Sequence, residues 1–449
     1  MKNGFLFLGI AILLLGTSVF IMLKQKPRPL FTFVERIEGS TNDAEWLNAK
    51  AAIQQLLVVI KKNPQNLKAK QKLANLYINE GRASGNHAYY DAAAMQLIDD
   101  ILDEEENNFD ALCAQATILL SQHHFNEAEA VGLNLVKQNP HSAYALGVLV
   151  DAYVELGKYE KAIAAADKMT ALRPDIRSYA RIAYLREIIG DYQGAIESME
   201  MAVNAGIRGL EQTEWCRYNL GKLYEHTGKL TLAKNCYELC LLYRNNYAYG
   251  NAGLGSIAHI EGNLQTAVTY YKRAKASVND FSFSEAMYQI YKSSGQTNFA
   301  NAELMEAEKL LGANDLNENE THGHYADKEL AELYTTANQY DKALTHAMLE
   351  YNRRPDNAEV NRTLAWVYFH KNQYKLADEL MQVALKPGTQ NPETLLQAAA
   401  IKMKLNFKTE ASQYIQRAYS VSKICSVNAT EILKHIPAQM HLTINSVPK

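Results

Sequence analysis

The sequence has no excess of charge of either sign: 46 Lys and Arg stand against 49 Asp and Glu in 449 residues, a formal charge of −3. A chain so balanced carries no electrostatic footprint for DNA or RNA. Proline and glycine are scarce, at 10 and 23, which excludes a collagenous or linker-dominated protein. Cysteine is rarer still. Cys113, Cys216, Cys236, Cys240 and Cys425 are odd in number and form no CxxC spacing, so they imply neither a disulfide framework nor a zinc site, and buried free thiols are expected. The chain also lacks GxSxG, HExxH, the GxxxxGK[ST] phosphate loop and a strand-led GxGxxG, so no enzyme chemistry, cofactor or metal is implied. The adjacent His123 and His124 point to different helix faces and suit a turn between helices better than a metal. What the chain does have is 47% hydrophobic residues, enough for a folded core, and 27 Tyr against only 3 Trp.

Long apolar runs are confined to one place. Gly4 to Leu23 is 20 residues without a charge, preceded by Lys2 and followed by Lys24, Lys26 and Arg28. As a helix it spans roughly 30 Å, the thickness of a bilayer's hydrocarbon core. A transmembrane anchor is expected there in preference to a cleaved signal peptide, because cutting after Gly16-Thr17-Ser18 would leave the apolar Val19 to Leu23 exposed. The first cysteine is Cys113, so a lipoprotein anchor is excluded. The basic residues after the run favour a cytoplasmic body and the short basic N-terminus favours export. The reading adopted is a single-pass membrane protein with its body on the extracytoplasmic (periplasmic) side, the cytoplasmic side staying open.

From about residue 67 the chain repeats itself. Aligned on Ala94, Ala128, Ala162, Ala195, Ala233, Ala267, Ala300, Ala343, Ala377 and Ala411, the units are spaced mostly 33 or 34 residues apart. Other columns agree independently. Tyr stands nine positions before the alanine at Tyr153, Tyr224, Tyr291, Tyr334 and Tyr368, and a small residue stands three before that slot in eight units. Gly157, Gly190, Gly228, Gly262 and Gly295, then Asn338, Asn372 and Asn406, fall where a first helix would end in a left-handed cap. Helix pairs with small residues at their crossing and Tyr filling the space beside them would produce such columns.

These residues resemble tetratricopeptide repeats, whose period is 34. The resemblance covers nearly the whole chain after residue 66 and implies an all-α fold, a right-handed superhelical solenoid of about ten antiparallel helix pairs following one N-terminal transmembrane helix. The organisation expected is a tail (1–3), the transmembrane helix (4–23), a linker (24–41), a capping helix (42–66) and about seven units over 67–311, the first with an insertion at 83–90. A polar break (312–323), about three units (324–421) and a C-terminal cap and tail (422–449) follow. The break is either a hinge or a plain surface loop.

The geometry of the family implies that certain positions of each first helix line a concave groove. Here they and their neighbours are Tyr144, Asp151, Arg177, Arg181, Tyr184, Trp215, Tyr218, Asn219, Lys222 and Tyr249. Aromatics mixed with Arg and Lys suit an interface with an extended peptide. Trp215 and Tyr249 fit helix-start packing equally well. A Lys/Asn/Arg carboxylate clamp, known in the family, is not matched, since only Asn75 holds a ninth position and its fifth is Gln71. The resemblance extends loosely to bacterial envelope assembly factors, although the CxxC pair of the lipopolysaccharide-assembly member is missing. The expected function is a membrane-anchored, non-catalytic scaffold or adaptor binding a protein or peptide in the groove. The alternative is an accessory subunit of an envelope assembly or polysaccharide-processing enzyme complex.

Overall fold

The computed structural model of the chain describes residues 29–36, 44–312, 324–423, 426–438 and 440. Among them lie 22 helices and no strand. A lone helix, α1 (Ala44–Lys62), precedes ten antiparallel pairs. Units 1 to 3 are α2 (Leu67–Ser84) with α3 (His87–Leu102), α4 (Phe109–Ser121) with α5 (Phe125–Gln138), and α6 (Ala143–Glu155) with α7 (Tyr159–Leu172). Units 4 to 6 are α8 (Ile176–Ile188) with α9 (Tyr192–Ala205), α10 (Glu211–His226) with α11 (Leu230–Tyr243), and α12 (Ala248–Ile260) with α13 (Leu264–Lys275). Units 7 and 8 are α14 (Phe281–Ser293) with α15 (Thr297–Gly312) and α16 (Asp327–Thr336) with α17 (Tyr340–Arg353). Units 9 and 10 are α18 (Ala358–His370) with α19 (Tyr374–Leu385) and α20 (Pro392–Lys404) with α21 (Lys408–Val421), and α22 (Val427–Leu433) packs against the last.

Local chemistry sets these boundaries. Seven first helices begin on a side-chain oxygen, from Asn66, Asn108, Ser142, Asp175, Asp280, Asn357 and Asn391, that accepts a backbone N–H of the first turn. Those donors have no partner inside the helix, so each cap removes a desolvation cost. Between the helices of every unit one residue turns left-handed, with φ from +61° to +85°: Gly85, His123, Gly157, Gly190, Gly228, Gly262, Gly295, Asn338, Asn372 and Asn406. The alanine column is core, none of its ten members being more than 3% exposed. The small residues at the crossings are needed by contact, because a Cβ on Gly221 would lie 2.4 Å from the Tyr237 ring.

The pairs stack into a superhelix whose second turn rests directly on the first. The turn inside unit 1 meets the linker between units 6 and 7, where a Cβ on Gly85 would lie 2.6 Å from Val278 Cγ1. One unit on, the Tyr325 N–H donates to Gln122 O at 3.1 Å. In unit 3 a Cβ on Gly157 would lie 2.2 Å from Asp356 O, while Asn357 Nδ2 donates to Glu155 O at 2.9 Å. Gly190 of unit 4 faces Gly388 O, and Gly228 of unit 5 faces the Ser422 hydroxyl. The inner turns of units 1 to 4 therefore sit on the linker leading into the unit six further along, that of unit 5 sits on the linker into α22, and about six units complete one superhelical turn.

The expectation of a membrane localisation is corrected here. Among the described residues no helix is long and apolar enough to cross a membrane. The physical reason is that these helices are amphipathic. Even α1, at 19 residues, carries Glu45, Lys50, Lys61 and Lys62 among its apolar positions. The segment 4–23, on which the anchor was placed, lies outside the described residues, and assignment to a membrane is set aside. Of the stretch taken as a free linker, residues 29–36 lie extended across α2 and α3. The Tyr77, Tyr89 and Tyr90 hydroxyls donate to Phe31 O, Thr32 O and Val34 O at 2.9, 2.7 and 2.9 Å. The Arg36 guanidinium grips Glu80 in a buried two-point ion pair at 2.5 and 2.8 Å. The polar break lies outside the described residues apart from Gly312, and Leu311 before it shares one apolar cluster with Leu330 after it.

Candidate functional site

The turn-on-turn stacking encloses two cavities on the inner side of the superhelix. The first, about 430 Å³, is walled by Asp151 and Glu155 of α6, Tyr184 of α8, and Lys328, Arg354 and Glu359 from the second turn. The second, about 350 Å³, is walled by Lys222 and Glu225 of α10, His259 of α12, Glu285 of α14, and Glu393 and Asn428 from the second turn. Both exist only because units six apart meet.

Two of the ten sequence-proposed residues, Asp151 and Tyr184, line the first cavity, and Arg181, Arg177 and Tyr144 adjoin Asp151 in turn. Arg181 donates to both carboxylate oxygens of Asp151, Nε at 2.8 Å and Nη2 at 2.6 Å. Burial alone would lower the Arg181 pKa, and the Asp151 charge more than offsets it, so the guanidinium titrates above its ordinary value. The Arg177 guanidinium lies 5.9 Å from the Tyr144 ring centre, and the Tyr144 hydroxyl meets Thr117 Oγ1. Tyr184 donates to Glu155 Oε1 at 3.4 Å, and Arg354 of the second turn holds the same carboxylate. The Glu155 charge and then burial raise the Tyr184 phenol, so it stays neutral.

The other five sit one and two units on. Tyr218 packs between Tyr237 and Tyr249, with ring centres at 5.8 and 5.4 Å, and the Lys222 ammonium lies 5.9 Å from its ring. Tyr249 donates to Asp280 Oδ2 at 3.1 Å. Asn219 donates within its own helix to Trp215 O at 2.8 Å. Of this group Lys222 alone lines a cavity. The two groups are joined by His226 of α10 and Glu187 of α8, 3.0 Å apart. Burial lowers the His226 pKa, and the Glu187 hydrogen bond and charge raise it by more.

The acidic residues that the second turn brings to the lumen were not singled out from sequence. Glu332 accepts from Lys328 at 3.1 Å, from Arg362 at 2.7 Å and from Thr363 at 2.8 Å. Its carboxyl is held down at about 2, because Lys328 and Arg362 outweigh burial. Groove positions assigned from the first turn alone could not reveal walls supplied by the second. The described cysteines, Cys113, Cys216, Cys236 and Cys240, are free and buried, and burial raises each thiol, so none is a poised nucleophile. Cys425 lies outside the described residues.

Comparison with known proteins agrees with this helix-pair architecture. Residues 119–187 and 216–247 match family models described as tetratricopeptide repeat. Those two stretches carry tetratricopeptide repeats, a repeat type that generally serves as a non-catalytic scaffold for protein interactions. It is 24% identical over 244 residues to the probable UDP-N-acetylglucosamine–peptide N-acetylglucosaminyltransferase SPINDLY of Hordeum vulgare, a match that takes in 44% of this chain and 26% of that protein. The chain thus spans about a quarter of that curated relative. Among solved structures, the APC/C hetero-tetramer Cut9-Hcn1 is similar at a TM-score of 0.43 and 16% identity, over 85% of this chain and 60% of that one. PilW, a type IV pilus biogenesis factor, is similar at 0.38 and 16%, over 47% and 95%. A thermophilic TPR protein of Thermus thermophilus is similar at 0.36 and 20%, over 46% and 98%.

Proposed function

We propose that the chain is a non-catalytic scaffold that binds a protein or peptide partner along the inner face of its repeats. The observation that carries the reading is the set of large aromatics left open on that face. Tyr144, Tyr184 and Trp215 are 39%, 45% and 37% exposed, whereas Tyr153, Tyr192 and Tyr237 of the same units are buried in the core. Aromatic side chains with little rotamer freedom, flanked by Arg and Lys, are what interface hot spots are made of. Tyr184 is already half engaged with a carboxylate and can exchange that contact for one from a partner.

The test is crosslinking of the full chain in its native cell, with partners quantified by mass spectrometry for the parent and for the pair Tyr184→Ala and Trp215→Ala. Both side chains are open enough for their loss to leave the far-UV CD spectrum unchanged. Partner yield is expected to fall at least tenfold, which corresponds to about 1.4 kcal/mol. Undiminished yield of the same partners would overturn the inner-face assignment.

A further inference from the structure

The 350 Å³ cavity is lined by three carboxylates that form no ion pair among the described residues. Glu225 accepts from the Tyr237 and Ser256 hydroxyls at 3.0 and 2.6 Å, and Glu393 accepts from the Ser426 hydroxyl at 2.5 Å. Glu285, part-buried in the cavity wall, has neither a hydrogen bond nor an ion pair among the described residues. Elsewhere in the lumen carboxylates are matched with bases: Asp151 with Arg181, Glu155 with Arg354, Glu187 with His226, Glu332 with Lys328 and Arg362. Among the described residues the one permanent cation lining this cavity is Lys222, whose neighbour His226 is already paired with Glu187. Burial keeps His259 neutral by lowering its pKa. Removing such carboxylates further from water without an ion-pair partner is costly, and a cationic ligand would supply that partner.

We infer that this cavity is a receptor for a cationic side chain, an arginine guanidinium or lysine ammonium projecting from the partner segment, held among Glu225, Glu285 and Glu393. The inference rests on the scaffold reading above and gives its partner a chemistry, a basic one. Tyr271 and Leu396 supply apolar wall against which the aliphatic stem of such a side chain can lie. The volume sits at the low end for ligand pockets, which suits a side chain with adjoining backbone.

Glu285 makes the site readable by pH. Burial pushes its carboxyl up to about 7; Glu332, Glu329 and Asp280 add to the rise and Lys328 opposes it. A cation binds the ionised form, so affinity rises with pH through that value. The experiment measures fluorescence anisotropy of the full chain with a labelled Gly-Ser-Arg-Ser-Gly-Lys-Ser-Gly peptide, with the same peptide carrying Gln for Arg and Lys, and with spermidine as competitor. The basic peptide is expected to bind about tenfold more tightly at pH 8 than at pH 6, and the Gln peptide not at all. Glu285→Gln should flatten the pH dependence, Glu225→Gln with Glu393→Gln should weaken binding at least tenfold, and Lys222→Met should tighten it. A packing role for these residues predicts no tightening in the last variant. Absence of saturable binding by the basic peptide below about 1 mM at pH 8 overturns the inference. Spermidine displacing nothing, or binding where the peptide does not, separates the two sources of positive charge, and the second result also overturns it. If the peptide fails while partner capture still depends on Tyr184 and Trp215, the basic ligand falls and the scaffold reading stands.

Discussion

Gly157 and Gly262 hold the same place in their units, the left-handed residue between two helices, with φ of +72° and +79°. Their surroundings differ completely. A Cβ on Gly157 would lie 2.2 Å from Asp356 O and 2.9 Å from Asn357 N of the turn above, whereas one on Gly262 meets nothing within 4 Å. Both substitutions to alanine carry the left-handed penalty, roughly 1–2 kcal/mol. Only at Gly157 must backbone also give way, breaking the contact between turns. Urea unfolding should therefore show Gly262→Ala costing about 1–2 kcal/mol and Gly157→Ala about 3 kcal/mol or more. Gly262→Asn should be milder still, since Asn338, Asn372 and Asn406 hold that conformation in units 8 to 10. Equal costs at the two glycines would mean that the turns do not touch. The glycine column itself is legible in sequence as a set of helix caps. That some of its members also serve a close approach is not, because the atom they make room for is a backbone oxygen almost 200 residues away, which any residue type supplies.

At the scale of the element, the extended segment 29–36 shows what periodicity can and cannot reveal. The insertion at 83–90 stands out as a departure from the 34-residue unit, yet nothing in its sequence indicates a purpose. In the structure its Tyr89 and Tyr90 are two of the three hydroxyl donors that fix the segment, and Tyr90 also accepts the Val34 N–H at 3.3 Å. The bonds run to main chain, so no complementary side-chain pattern exists to be found in 29–36. The buried Arg36–Glu80 pair is equally hidden, because opposite charges 44 residues apart pair with nothing in particular until the fold is known. The helix pairs are different. Their order is carried by local columns such as Ala162 and Tyr153, which is why the all-α repeat fold could be read and the inner walls could not. The candidate site divides along the same line: first-helix residues such as Tyr184 and Arg181 follow from register within one unit, whereas Glu285, Arg354 and Glu393 enter the lumen only when the second turn closes on the first. The segment yields a direct prediction. Tyr90→Phe removes both hydrogen bonds to Val34 while keeping the buried ring, at a cost of about 1–2 kcal/mol. Glu80→Gln leaves Arg36 buried without a full counter-charge and should cost about 3 kcal/mol or more. Hydrogen exchange should report faster exchange confined to the Val34 amide and its neighbours in Tyr90→Phe. Protection spread evenly over unit 1 would argue against a segment held by those particular bonds.

The whole molecule combines two kinds of contact with different chemistry. Within a turn, neighbouring units share apolar surface. Between turns, the contact is narrow and polar. At units 2 and 8 it includes, beside the Tyr325 N–H bond to Gln122 O, His123 Nδ1 with Tyr325 O at 2.8 Å, His324 Nδ1 with Ser121 O at 3.1 Å, and the His123 and His324 rings 4.4 Å apart. Burial pushes the His324 imidazole down to about 4, the His123 charge adds to that, and Glu329 opposes it. An unfolded histidine takes its proton near 6.5, so between that value and about 4 the unfolded chain binds more protons than the folded one. Stability must fall as pH is lowered through this window, and the loss from His324 is at most about 3 kcal/mol. His226 acts in the opposite sense, because Glu187 raises it and its contribution grows on acidification, but it lies within one turn and holds nothing between turns. In a solenoid each unit is stabilised by its immediate neighbours, so losing the contact between turns leaves the helix pairs packed. Acidification from about pH 7 to pH 5 is therefore expected to separate the turns before the helices melt. Small-angle scattering should show the radius of gyration rising while far-UV CD is unchanged, and His324→Gln, which has no proton to gain, should shift the expansion to lower pH. Coincident scattering and CD transitions, or an expansion that His324→Gln leaves unmoved, would show that the two turns are held together by something other than this histidine contact.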